Sequence, residues 1–135
     1  MTIRKVTSNE VPESPAPFSQ CLVVGDRVFL SGMTAAGPDG RPVGGASMAE
    51  QSRACLRKVA ALLDAAGASL ADVVKLTIYT TDIARRAEIG AVRRELFREP
   101  YPCSTLVQIT ALAGPELLVE IDAEAIIGAS GNARS

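Results

Sequence analysis

The chain of 135 residues has no histidine and no tryptophan, and its aromatic content is 4%. Without an imidazole, Ser-His-Asp and Cys-His nucleophile systems, histidine-ligated zinc and facial-triad iron are all excluded. Any catalysis must use carboxylates, hydroxyls, thiols, backbone groups or bound water. The three cysteines, Cys21, Cys55 and Cys103, are odd in number and widely spaced with no Cys-x-x-Cys. That pattern gives neither a disulfide framework nor a zinc knuckle and suits a reducing cytoplasm. No metal site is expected, and no cofactor. The glycine-rich stretches at 37–40 and 44–45 are turn signals and match neither a P-loop nor a dinucleotide fingerprint.

Other absences narrow the partners. The N-terminus lacks the apolar core of a signal peptide, and no apolar run approaches the ~20 residues that a membrane helix needs. A soluble, cytoplasmic protein with no membrane partner is expected. The net charge of −1 supplies no global positive field for a phosphate backbone, so nucleic acid is not an expected partner.

What is present is a chain with 47% apolar and 21% charged residues, sufficient for one packed domain and too apolar for disorder. The domain is expected to span residues 1–127, with 128–135 a flexible C-terminal tail. Residues 18–24 and 27–31 flank Gly25 and Asp26, the signature of a hairpin, and an added strand over 2–6 is compatible with the pattern. Ser47 and Glu50 read as a capping box for a helix whose inner face carries Met48, Ser52, Cys55, Leu56, Val59, Leu62, Leu63 and Ala66, with Gly67 as its stop. Residues 73–81 form a half-buried strand with Val74, Leu76 and Ile78 on one face. A second helix over 83–97 buries Ile89, Val92 and Leu96, and Gly90 in its middle suggests close packing. Strands 103–111 and 117–127 are expected to pair as a hairpin through the turn at 113–116. The order predicts an α+β two-layer sandwich, a mixed β-sheet with two helices on one face.

The last strand sorts cleanly by the two-residue period: Val119, Ile121, Ala123, Ala125 and Ile127 face one way, and Leu118, Glu120, Asp122, Glu124 and Ile126 the other. The second face reads either as an acidic strand face in solvent or as a subunit interface.

The block at 101–112, Tyr-Pro-Cys-Ser-Thr-Leu-Val-Gln-Ile-Thr-Ala-Leu, and the strand bearing Glu120 resemble the closing segment of the Rid family, small trimeric proteins that hydrolyse reactive enamines and imines. Pro17-Phe18-Ser19-Gln20 is similar to that family's Pro-Tyr-Ser-Gln signature, and Ser31-Gly32-Met33 to its Ser-Gly-Gln motif. The resemblance implies a chorismate-mutase-like fold and a homotrimer with small-molecule clefts between subunits, lined by Phe18, Ser31, Gly32, Met33, Ser104, Thr105 and Glu120. Glu120 would position or activate water, or hold a structural hydrogen bond. Ser104 stands where deaminating members carry a carboxylate-binding arginine, Phe18 lacks a phenol hydroxyl, Met33 replaces an amide, and the helical asparagine of many members falls at Gly90. A serine offers one neutral donor in place of a bidentate charged grip, so the expected ligand is neutral or weakly polar. The reading is hydrolysis or tautomerisation of an enamine or imine other than the usual 2-imino acids; the alternative is a non-catalytic binding or scaffold protein.

Cys103 is expected to be a small packed cysteine turned away from Ser104, and Cys21 and Cys55 core residues. Arg85, Arg86, Arg93 and Arg94 are expected to form a solvated helix face balanced by Glu88, Glu95 and Glu99.

Overall fold

The computed structural model describes residues 2–131. Its strands are β1 (Ile3–Val6), β2 (Cys21–Val24), β3 (Arg27–Thr34), β4 (Val73–Thr80), β5 (Cys103–Gln108) and β6 (Val119–Ile126), and its helices are α1 (Met48–Ala66) and α2 (Arg86–Leu96). The strands form one mixed sheet in the order β1-β2-β3-β6-β4-β5. Both helices lie on one face, giving the expected α+β two-layer sandwich. Among the described residues, no helix is long and apolar enough to cross a membrane.

The expected hairpin of the last two strands does not form. β5 is an edge strand parallel to β4, while β6 inserts antiparallel between β3 and β4. Parallel pairing requires a crossover, and α2 provides it between β4 and β5. Alternation along β6 specified which side chains face the helices but carried no information about which strands flank it. Val119, Ile121, Ala123 and Ala125 are all buried, and the two alanines leave room for a helix to pack close above them.

α1 is the helix that packs there. All eight inner-face residues expected from the periodicity are buried, and fully burying each large aliphatic stabilises the fold by roughly 1.5–3 kcal/mol. Ser47 accepts the Glu50 backbone N–H at 3.1 Å, but the Glu50 carboxylate pairs with Arg53 and does not complete the capping box. Gly67, at φ +88°, adopts the left-handed conformation that stops the helix. In β4 a bulge between Val73 and Lys75 changes the expected facing: Val73 turns inward and Val74 is 38% exposed, while Leu76, Ile78 and Thr80 are buried.

The C-terminal segment is tied where it was expected to be free. Ser130 donates through N and Oγ to the carboxylate of buried Asp72, at 3.0 and 2.9 Å. Residues 132–135 of the expected tail lie outside the described residues.

Buried Gln51 holds the crossover into β6. Its amide nitrogen donates to Gly45 O (2.7 Å) and Glu116 O (3.0 Å), and its oxygen accepts Leu118 N–H (2.8 Å). Three backbone groups from two loops depend on this one side chain. Gln51→Ala should therefore cost roughly 3 kcal/mol in urea unfolding, because three part-buried hydrogen bonds are lost together. A loss below about 1 kcal/mol would show that the crossover does not rest on it.

Candidate functional site

Two clusters carry the candidate residues, and they lie on opposite faces of the sheet. The first begins at a bulge in β3 between Leu30 and Met33, which displaces Ser31 and Gly32 from regular pairing. Ser31 N–H donates to Gln20 O at 2.9 Å and Ser31 Oγ donates to Ser19 O at 2.6 Å, so the bulge is fastened to the segment that carries Phe18. The Ser31 hydroxyl proton is spent there, so Ser31 Oγ can only accept further hydrogen bonds. On the adjacent β6, Glu120 lies over Gly32. A Cβ at Gly32 would sit 2.1 Å from Glu120 Oε2, so only glycine lets the carboxylate occupy this place.

Glu120 is half-buried, and burial, followed by repulsion from Asp122, raises its pKa above the ordinary glutamate value. No hydrogen bond or ion pair with a described residue engages its carboxylate. Asp122 is also raised, chiefly by burial, against the opposing hydrogen bonds from Thr77 and Tyr79; the Tyr79 hydroxyl donates at 3.4 Å. The open face therefore places two carboxylates side by side on β6, one tied to β4 and one untied.

Not every expected site residue joins this cluster. Thr105 pairs in register with Thr77 and shares the open face, and Phe18 is 54% exposed. Met33 pairs with Ile121 and is only 5% exposed, so its side chain belongs to the core and not to a cleft wall; the β3 bulge turns it inward. Cys103 is exposed beside Lys75 in register, against the expectation of a packed thiol. Cys21 and Cys55 are buried as expected, and burial pushes their thiols up to about 11 and about 12.

Ser104 anchors the second cluster. It pairs in register with buried Leu76, which places it on the helix face. There it lines a cavity of about 180 Å³ with Gly90, Arg93, Phe97, Tyr101 and Pro102. Arg93 Nη1 donates to Ser104 Oγ at 2.7 Å, and its Nη2 lies 4.0 Å from where a Gly90 Cβ would be. The expected balancing of the basic helix face is partial. Glu88 pairs with Arg85, but Glu95 is taken by Arg53 of α1 through two 2.9 Å hydrogen bonds. Arg93 was not among the expected site residues. Its one signal in the sequence is an arginine three positions after a glycine in a helix, the spacing at which the longer side chain covers the missing one.

A family model described as Endoribonuclease L-PSP matches residues 8–127. The chain belongs to that family, the Rid family. A RutC family protein, y4sK, of Sinorhizobium fredii is 34% identical over 110 residues, covering 82% of this chain and 87% of its own. The Rid protein YyfA of Yersinia pestis superposes with a TM-score of 0.86 at 26% identity over 93% of this chain and all (100%) of the other. The putative reactive intermediate deaminase TdcF of Escherichia coli is 31% identical over 124 residues, 90% of this chain and 95% of its own. A crystal structure of TdcF with bound serine superposes with a TM-score of 0.81 at 29% identity, over 91% and 98% of the two chains.

The raised Glu120 of this Rid protein makes a testable demand on stability. A carboxyl group whose folded pKa exceeds its unfolded pKa loses stabilisation as pH rises through that interval, because only the unfolded chain ionises freely. Glu120→Gln should therefore be more thermally stable than wild type at pH 7, with the gain vanishing below about pH 4. Equal melting temperatures at pH 7 would show that Glu120 carries no desolvation cost.

Proposed function

We propose that this Rid protein is a homotrimer that hydrolyses a small enamine or imine in clefts between subunits, with Glu120 as general base. The observation that supports this most is the untied, half-buried Glu120 carboxylate held over Gly32. A carboxylate with raised pKa is a better base near neutral pH, and one with free lone pairs is able to take a proton from water. Water adds to the carbon of the protonated C=N as Glu120 accepts its proton, giving a carbinolamine. Glu120 passes that proton to nitrogen, and as ammonia leaves the hydroxyl proton goes back to the Glu120 carboxylate, so a carbonyl remains. Backbone amides near Ser31 and Thr105 would hold the developing charge.

The open face supports assembly. Phe18 is exposed beside the β3 bulge, Val107 is exposed on β5, and half-buried Phe29 pairs in register with Glu124, with half-buried Leu22 on the strand beyond. Apolar side chains among carboxylates, with no helix over them, suit burial against another copy. Ribonuclease activity, the word in the family's description, is not part of this reading, since the chain has a net charge of −1.

Sedimentation should give a trimeric mass at micromolar concentration, and a monomeric mass would remove the clefts. Ammonia release from imines generated in situ should fall by about 100-fold or more in Glu120→Gln, the loss expected for a general base. Cys103→Ser should stay within about twofold of wild type, since the chain has no histidine to serve the thiol as general base and the Lys75 beside it in register supplies only a positive charge. Ligand binding without ammonia release from any imine tested would favour the non-catalytic alternative.

A further inference from the structure

We propose that Arg93, seated on the Ser104 hydroxyl, is the carboxylate clamp of the cleft. In this chain the guanidinium comes from α2 across Gly90 and not from β5. The inference rests on the proposed hydrolase reading and names the ligand class of that site: a small carboxylate, a 2-imino acid or its enamine tautomer. It reverses the expectation of a neutral ligand, which followed from Ser104 alone.

Three observations carry it. Among the described residues Arg93 has no acidic partner, and the two glutamates of α2 are held by Arg85 and Arg53. Its described hydrogen bond is to a neutral oxygen, Ser104 Oγ at 2.7 Å, so most of its five N–H donors remain available. The guanidinium also lines a cavity walled by Leu76, Phe97 and Tyr101, sized for a compact apolar side chain beside a charged head. Ser104 does more than fill a gap. By accepting from Arg93, its oxygen fixes the guanidinium and leaves its own O–H proton to donate, so a carboxylate meets one charged N–H and one O–H side by side.

Gly90 leaves the ground beside the guanidinium open. Apart from its chain neighbours and the backbone of its own helix, Arg93 Nη2 is what lies within 4 Å of its missing Cβ, at ordinary contact distance, so a side chain longer than alanine at 90 would reach into the ground over which the guanidinium folds. The clamp and Glu120 lie on opposite faces of one sheet, and no single copy brings them together. In the proposed trimer, a cleft that holds both would take Arg93 from one subunit and Glu120 from its neighbour.

Pyruvate, the hydrolysis product of 2-iminopropanoate, is the probe, with its neutral amide as control; calorimetry reads binding to the full-length trimer. Wild type should prefer pyruvate over the amide by tenfold or more, and Arg93→Gln should erase that preference while keeping the wild-type melting profile. Arg93→Lys should recover part of it, and Glu120→Gln should keep it while losing turnover. Equal preference in wild type and Arg93→Gln, or no pyruvate binding by wild type, overturns the clamp whatever the turnover. A retained, Arg93-dependent preference in an enzyme that releases no ammonia would overturn the hydrolase reading and leave the clamp standing. Trimers reassembled from equal amounts of Arg93→Gln and Glu120→Gln subunits should recover about one quarter of wild-type activity, since that fraction of clefts pairs two intact halves. No recovery, from subunits that do mix, overturns the division of the site between copies.

Discussion

The position of β6 between β3 and β4 is the constraint on which the rest depends. A central strand pairs on both edges, and its two-residue period then commits every side chain to one layer or the other. Val119, Ile121, Ala123 and Ala125 supply the floor on which α1 packs, and the intervening Glu120, Asp122 and Glu124 are presented on the uncovered face. A one-residue slip would drive three carboxylates under the helices and put four apolar side chains outside. The core that stabilises the domain and the carboxylate that does its proposed chemistry are thus specified by the same register.

That register also explains why the site needs a flaw in the neighbouring strand. In an unbroken β3 a residue with a side chain would stand against Glu120, and the carboxylate would be displaced. The bulge at Ser31 and Gly32 opens the space, and the hydrogen bonds from Ser31 to Ser19 and Gln20 keep it open. Glu120 is thereby held partly out of water without a counter-charge, a cost to stability that structural roles alone do not require. Asp122, one pleat along, has Tyr79 and Thr77 to offset its own burial. The two acids differ in partners more than in depth: Glu120 is untied, and Asp122 is tied to β4 through Tyr79.

Most of the fold was legible because periodicity reports burial directly. The eight inner residues of α1, the alternation of β6 and the stop at Gly67 all followed from spacing and from turn chemistry. What was not legible depended on neighbours. Alternation in β5 and β6 is equally consistent with a hairpin, and nothing local announced that α2 would carry β5 to the far edge. The facing of Val74 and Met33 was hidden by bulges, each of which shifts the period by one without changing composition. Gln51 was missed because a glutamine inside an apolar stripe looks like an interruption, when it binds two loops. At the candidate site, Glu120 and Gly32 came from the resemblance to the Rid family, whereas Arg93 lies eleven residues before the serine that holds it, on the helix of the crossover.

That distance shows why substitutions at a site cannot be read one at a time. Serine at 104, taken alone, deletes a charge, and glycine at 90, taken alone, deletes a polar group and weakens a helix by roughly 1 kcal/mol relative to alanine. Together they describe a different arrangement. The small residue at 90 clears the helix surface, the arginine one turn later lies across it, and the hydroxyl at 104 receives its Nη1 at 2.7 Å. The guanidinium reaches Ser104 from α2, so the positive charge at the cavity is attached to the helix and not to β5. Arg93 springs from the last turn of a helix packed on the core through Ile89 and Val92, so its reach is set by the helix–sheet spacing and not by the edge of β5. A clamp built this way is coupled to the packing of α2, and core residues beneath that helix become part of what determines how the ligand is held.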